Sequence, residues 1–129
     1  MSDNQLNNVL LVDDDDFIQD IYATKFKADG IDIAVAEDGE VAIEELKNDS
    51  FDVVLLDIIM PGTDGMQFLE QARNQNLLGD SLVIVLSNQG QKEDIEKANQ
   101  YDVDGYIVKA SSVPSEVLAQ VQKIYNSAQ

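Results

Sequence analysis

Four short apolar runs do most to restrict how this 129-residue chain can fold. They are Val9 to Val12, Val53 to Leu56, Leu82 to Leu86 and Tyr106 to Val108. None alternates with polar residues, and all are rich in β-branched or aliphatic side chains. Strands buried on both faces read this way, which indicates a parallel sheet covered on each side. Each run also ends on a residue able to handle phosphate or metal: Asp13 and Asp14, Asp57, Ser87 and Lys109. In open parallel sheets, ligands bind in the crevice beyond the carboxyl ends of the strands. Three carboxylates, a hydroxyl and an ammonium are therefore expected to face one site, a set suited to a divalent cation and a phosphoryl group.

Between these runs lie helical spacings. Phe17, Ile18, Ile21, Tyr22 and Phe26 give an apolar stripe over residues 15–29, which Asp29-Gly30 closes with a left-handed glycine. Residues 31–36 read as a further strand. Val41, Ala42 and Leu46 mark a short helix closed by Asn48-Asp49-Ser50, and Met66, Leu69 and Ala72 mark another to about residue 75. A polar helix runs through Ile95 and Ala98. Pro114 suits the first turn of a last helix with the stripe Val117, Leu118, Val121, Ile124 and Tyr125. Strand and helix alternate five times with short connections. The expected class is thus α/β, a doubly wound five-stranded parallel sheet flanked by five helices. Residues 1–129 read as one domain without repeats or linkers, and with only four residues after Tyr125 no output domain is expected.

Composition narrows the chemistry. Twenty-five acidic against eight basic residues give a formal charge of −17, which repels nucleic acid and anionic membranes. No apolar run approaches the roughly 20 residues of a membrane helix. The polar N-terminus lacks a signal region, and the absence of cysteine suits the cytoplasm. The chain has no histidine, which removes the commonest general base and transition-metal ligand. Oxygen-only ligands point to magnesium, manganese or calcium rather than zinc.

Taken singly, each candidate has an ordinary use. The run Asp13 to Asp16 can be a solvated helix start, and for Asp15 and Asp16 that use suffices. Asp57 can be a hydrogen-bonded loop residue, Lys109 a salt-bridge partner, Ser87 a turn residue and Tyr106 a half-buried aromatic. The turn-rich segment Met60-Pro61-Gly62-Thr63-Asp64-Gly65 is weak evidence alone. Phosphate-compatible groups at all four strand ends are the stronger, joint signal.

Over essentially its whole length the chain resembles the receiver domains of two-component response regulators. The resemblance rests on Val12-Asp13-Asp14, on Asp57 with Met60-Pro61 and Gly65, on Ser87, and on Tyr106 with Lys109. It implies a flavodoxin-like sheet of order 2-1-3-4-5, which would make strands one and three neighbours. It implies Asp57 as phosphoryl acceptor. Mg²⁺, or Mn²⁺, would be bound by Asp14 and Asp57 directly, by Asp13 through water and by the Ile59 carbonyl. Lys109 would contact the phosphoryl oxygens, Ser87 would hydrogen-bond the phosphoryl group, and Tyr106 would turn inward as the switch. The implied donor is a histidine kinase or histidine phosphotransfer protein, and the implied output is binding of another protein through the face of helix four, strand five and helix five. The protein would be a monomer or a phosphorylation-driven dimer.

Three positions depart from the family pattern. Ala110 stands where proline usually follows the lysine; a non-proline cis bond costs about 2.5–4 kcal/mol, so a trans bond and a shifted loop are expected. Asn88 replaces a usually small residue and would narrow access to Asp57. Ile59 lies where polar residues often position hydrolytic water, so self-dephosphorylation is expected to be slow. A rival reading is a small Mg²⁺-dependent phosphatase or phosphotransferase with an aspartyl-phosphate intermediate. Such enzymes need a second acid two residues after the nucleophile, where this chain has Ile59. A receiver that binds partners without phosphorylation is disfavoured by the complete set of site residues.

Overall fold

The structure is a computed structural model and describes residues 6–57, 65–87, 103–108 and 113–128. The strands are β1 (Asn8–Val12), β2 (Asp32–Ala36), β3 (Val53–Asp57), β4 (Leu82–Ser87) and β5 (Gly105–Val108). The helices among the described residues are α1 (Asp16–Ala28), α2 (Gly39–Asn48), α3 (Gly65–Asn74) and a C-terminal helix (Pro114–Ser127). The helix expected through Ile95 and Ala98 falls outside them. All strands are parallel, in the order β2-β1-β3-β4-β5, which is the order the resemblance implies.

The unalternating runs follow from burial on two faces. Leu10, Val12, Val54, Leu56 and Val83 face one way, into a core completed by Ala42 and Leu46 of α2 and Phe68 and Leu69 of α3. Val9, Leu11, Val53, Leu55, Ile84, Leu86 and Ile107 face the other way, against Tyr22 and Phe26 of α1 and Val117, Leu118 and Val121 of the C-terminal helix. Each fully buried side chain of this size contributes about 1.5–3 kcal/mol relative to exposure, so the central strands are rigid supports for whatever their ends carry.

Local chemistry sets the helix ends. Asp15 caps α1, its Oδ1 accepting the N–H groups of Phe17 at 2.9 Å and Ile18 at 3.3 Å. Asp38 does the same for α2 through Val41 N–H at 2.9 Å. Gly30, at φ +84°, reverses the chain after α1, and Ile31 N–H reaches back to the Phe26 carbonyl at 3.0 Å. One residue of the expected α1 stripe lies elsewhere. Ile18, Ile21, Tyr22 and Phe26 meet the core, whereas Phe17 is 71% exposed. It lies about 100° around the helix from Ile18, in the row of Ile21, Thr24 and Ala28, and with them and Pro114 lines a shallow surface groove.

Candidate functional site: an acidic cluster at the strand exits

β1 and β3 are adjacent, with Val12 in register with Leu56. The next residue on each strand is an aspartate, so strand order alone brings Asp13 beside Asp57. Asp13 is fully buried, Asp57 is 6% exposed and closes the entirely buried β3, and Asp14 is exposed. A carboxylate oxygen from each of the three lies within 4.8 Å of the others.

The turn out of β1 is held at several atoms. Asp13 N–H donates to the Ala36 carbonyl at 3.0 Å, continuing alongside β2. Asp13 Oδ1 accepts Asp15 N–H at 3.0 Å, and the Asp13 carbonyl accepts Gln19 Nε2 at 2.5 Å. Asp15 is occupied in capping α1. Neighbouring Asp16 opens the helix as its acidic first-turn residue, so both serve the helix start as expected.

The remaining strand exits lie at the same edge. Asp57 is in register with Leu86, so the Ser87 backbone stands one step beyond it, beside Val108 of β5. Tyr106 is half-buried and in register with Val85. At Gly105 of β5 a Cβ would lie 2.6 Å from Ile124 Cδ1 of the C-terminal helix, so a side chain there would displace the tip of Ile124. The Ser87 side chain, Ile59, the Met60-Pro61 turn, Asn88, Lys109 and the Lys109–Ala110 bond lie outside what is described.

Three clustered carboxylates, two of them buried, are strongly unfavourable as bare like charges. Their donors are all hard oxygens in a chain without histidine or cysteine, so the set fits an oxygen-preferring divalent cation. Gln19 was not among the residues the sequence singled out. Its only signal was position: a polar residue one turn beyond the Asp15 cap, next to the core-facing Ile18.

The fold and the acidic edge define an α/β protein with a cation-compatible crevice at the strand exits. The family model of the response regulator receiver domain matches residues 9–122, and the chain belongs to that family. The phosphate regulon transcriptional regulatory protein PhoB of Escherichia coli is 28% identical over 116 residues, covering 90% of this chain and 50% of PhoB. The chain thus spans about half the length of the curated relatives it matches. The Francisella response regulator 1452 receiver domain superposes with a TM-score of 0.82 at 32% identity, covering 95% of this chain and 99% of that one. The response regulator TrrA of Thermotoga maritima, solved in complex with Mg²⁺-BeF, gives 0.77 at 28% identity over 92% of this chain and 99% of its own. As a receiver domain, the chain is a part of two-component signalling. No helix among the described residues is long and apolar enough to cross a membrane.

Proposed function

We propose that residues 1–129 act as one phosphorylation-dependent switch in which Asp57 receives a phosphoryl group. The observation that carries this reading is the convergence of Asp13, Asp14 and Asp57 at the exits of adjacent strands. An oxygen of Asp57 bonds to phosphorus as the phosphorus–nitrogen bond of a donor phosphohistidine breaks. The imidazole leaves with the electron pair and takes up a proton from solvent. The donor is a histidine kinase or histidine phosphotransfer protein, since this chain has no histidine of its own. A carboxylate is a nucleophile that needs no general base, and phosphoryl transfer depends mainly on alignment and charge neutralisation.

Asp14 and Asp57 directly, Asp13 through water and the Ile59 carbonyl would hold Mg²⁺, which would supply charge neutralisation for the phosphoryl group. The relative crystallised with Mg²⁺-BeF supports this choice of cation. Lys109 adds a compact positive charge, and Ser87 hydrogen-bonds the arriving group. Tyr106 then turns inward and changes the face of β5 and the C-terminal helix, which the helix expected through Ile95 and Ala98 would complete and where a downstream protein binds. The domain is a phosphoacceptor with at most slow self-dephosphorylation, working in the cytoplasm.

Intact mass after treatment with acetyl phosphate, with and without Mg²⁺, tests the reading. One phosphate is expected to be added in Mg²⁺ and little or none in EDTA. No addition under either condition, or catalytic turnover of a general phosphatase substrate, overturns it.

A further inference from the structure

We infer that Gln19 is a positioning residue for the cation site, holding the peptide that joins Asp13 to Asp14 so that both carboxylates point at one centre. The inference rests on the reading of those two aspartates as cation ligands. The Asp13 carbonyl, which accepts Gln19 Nε2 at 2.5 Å, belongs to that joining peptide. Its orientation sets the backbone torsions on either side, ψ of Asp13 and φ of Asp14, and therefore the direction in which the exposed Asp14 side chain leaves the chain. Asp13 is also held by its N–H to the Ala36 carbonyl and by its Oδ1 to Asp15 N–H, both at 3.0 Å. The first fixes the strand side of Asp13, and the second closes a turn across Asp14 through the Asp13 side chain; neither bonds the carbonyl oxygen of the joining peptide itself. Gln19 Nε2 bonds that oxygen directly, from a helix anchored in the core by the buried side chains of Tyr22 and Phe26.

The consequence is geometric rather than electrostatic, because a neutral amide adds no charge to the site. Mg²⁺ requires near-octahedral ligands at about 2.0–2.1 Å, whereas Ca²⁺ accepts 6–8 oxygens at looser distances of about 2.3–2.6 Å. A ligand that wanders therefore costs Mg²⁺ more than Ca²⁺. Partners that orient metal ligands typically change affinity by about 10–100-fold when removed. Gln19 thus contributes to discrimination between the two cations as well as to affinity.

The test is calorimetric titration of the whole chain with MgCl₂ and with CaCl₂, comparing wild type, Gln19→Met and Asp14→Ala. Methionine matches glutamine in length and helix propensity and lacks the donor. The expected result for Gln19→Met is a Kd for Mg²⁺ raised about tenfold, a smaller rise for Ca²⁺, and a Tm in EDTA near that of wild type. An amide–carbonyl bond lost from Asp13 should also shift its carbonyl carbon resonance upfield in the metal-free protein. The inference is overturned if Mg²⁺ affinity stays within a factor of about two, if both cations weaken equally, or if the Tm in EDTA collapses, which would make Gln19 a residue of the fold. Failure of the cation site itself looks different: wild type binds no Mg²⁺, or Asp14→Ala binds it unchanged.

Discussion

Acidic residues stand at both ends of the sheet, and they do different work. Where the strands enter, Asp52 Oδ2 accepts the N–H groups of Asn7 at 3.0 Å and Asn8 at 3.2 Å, tying the start of β3 to that of β1. Asp104 Oδ2 accepts Val83 N–H at 2.8 Å, joining the start of β5 to β4, and Ser81 Oγ donates to the Phe51 carbonyl at 2.5 Å. Each of these side chains meets a backbone partner from the neighbouring strand. Where the strands exit, Asp13 Oδ1 also accepts a backbone N–H, that of Asp15, yet a carboxylate oxygen each from Asp13, Asp14 and Asp57 gathers within 4.8 Å of the others. The residue type is the same, and the surroundings decide its use. An aspartate facing amides alone is a fastener, and aspartates gathered on one another fit a cation.

The largest effect that would break this distinction is chemical. Asp57→Asn should abolish phosphorylation by acetyl phosphate, read by intact mass, because the amide is no nucleophile for phosphorus, while far-UV circular dichroism stays that of the wild type. Phosphate retained in this variant, or found on Asp13, would mean that the buried β3 carboxylate belongs with the fasteners. Next in size is the response to cations. MgCl₂ should raise Tm well beyond NaCl at matched ionic strength, since screening coordinates nothing. At about 100 times Kd the gain is roughly 2.7 kcal/mol. Asp14→Ala should lose most of that gain. An undiminished Mg²⁺ effect in the variant would reduce the run of aspartates to a solvated helix start.

How much of this could be read from the chain depends on what each feature rests on. The β1, β3 and β4 runs were legible because burial on both faces removes alternation, and the aspartates after β1 and at the end of β3 marked the edge where the acidic cluster gathers. Gly30 and Pro114 were legible as local backbone chemistry. The meeting of Asp13 with Asp57 was not local: it needs β3 to lie beside β1, an order that came from the family resemblance and that the β1–β3 register bears out. Phe17 misled because it sits beside the core-facing row of α1 without belonging to it, a difference of one position that spacing alone blurs. Gln19 was hidden for another reason. Its bond to the Asp13 carbonyl reaches back past the Asp15 cap, and no residue pattern records a side chain reaching a main-chain oxygen six positions back.

A third prediction sharpens the comparison from the fastening side. Asp52→Ala removes charge-assisted bonds from two backbone amides, one exposed and one partly buried. The expected loss is about 1–2 kcal/mol, seen as a Tm lowered by roughly 3–8 °C, equal in Mg²⁺ and EDTA. Asp14→Ala should show the opposite pattern: no loss in EDTA, where removing a like charge relieves repulsion, and a deficit only in Mg²⁺. If Asp52→Ala blunted the Mg²⁺ response as Asp14→Ala does, the two ends of the sheet would not be separate systems.

The smallest expected effect concerns Tyr125, which lines a cleft of about 430 Å³ at the strand-entry end together with Asp49, Asp52 and Asp80. Burial pushes its phenol pKa up from the usual 10.0, and the charge of Asp52 raises it further. Both causes favour the neutral phenol in the folded protein. In the unfolded chain tyrosine ionises near pH 10, so above that value the unfolded state binds fewer protons than the folded one and stability falls as pH rises. The loss begins at the unfolded pKa and stops growing once the raised folded pKa is passed; below about pH 9 Tyr125 contributes no pH dependence. Tyr125→Phe should therefore flatten the alkaline limb of a urea-denaturation profile relative to wild type. Because burial is the larger cause, Asp52→Ala should recover only a minor part of the same loss, on top of its pH-independent deficit. Superimposable alkaline limbs for wild type and Tyr125→Phe would remove the tyrosine from the account. Full recovery in Asp52→Ala would show that the entry-side acids act through their charge after all, and the contrast with the exit-side cluster would narrow to the number of carboxylates gathered there.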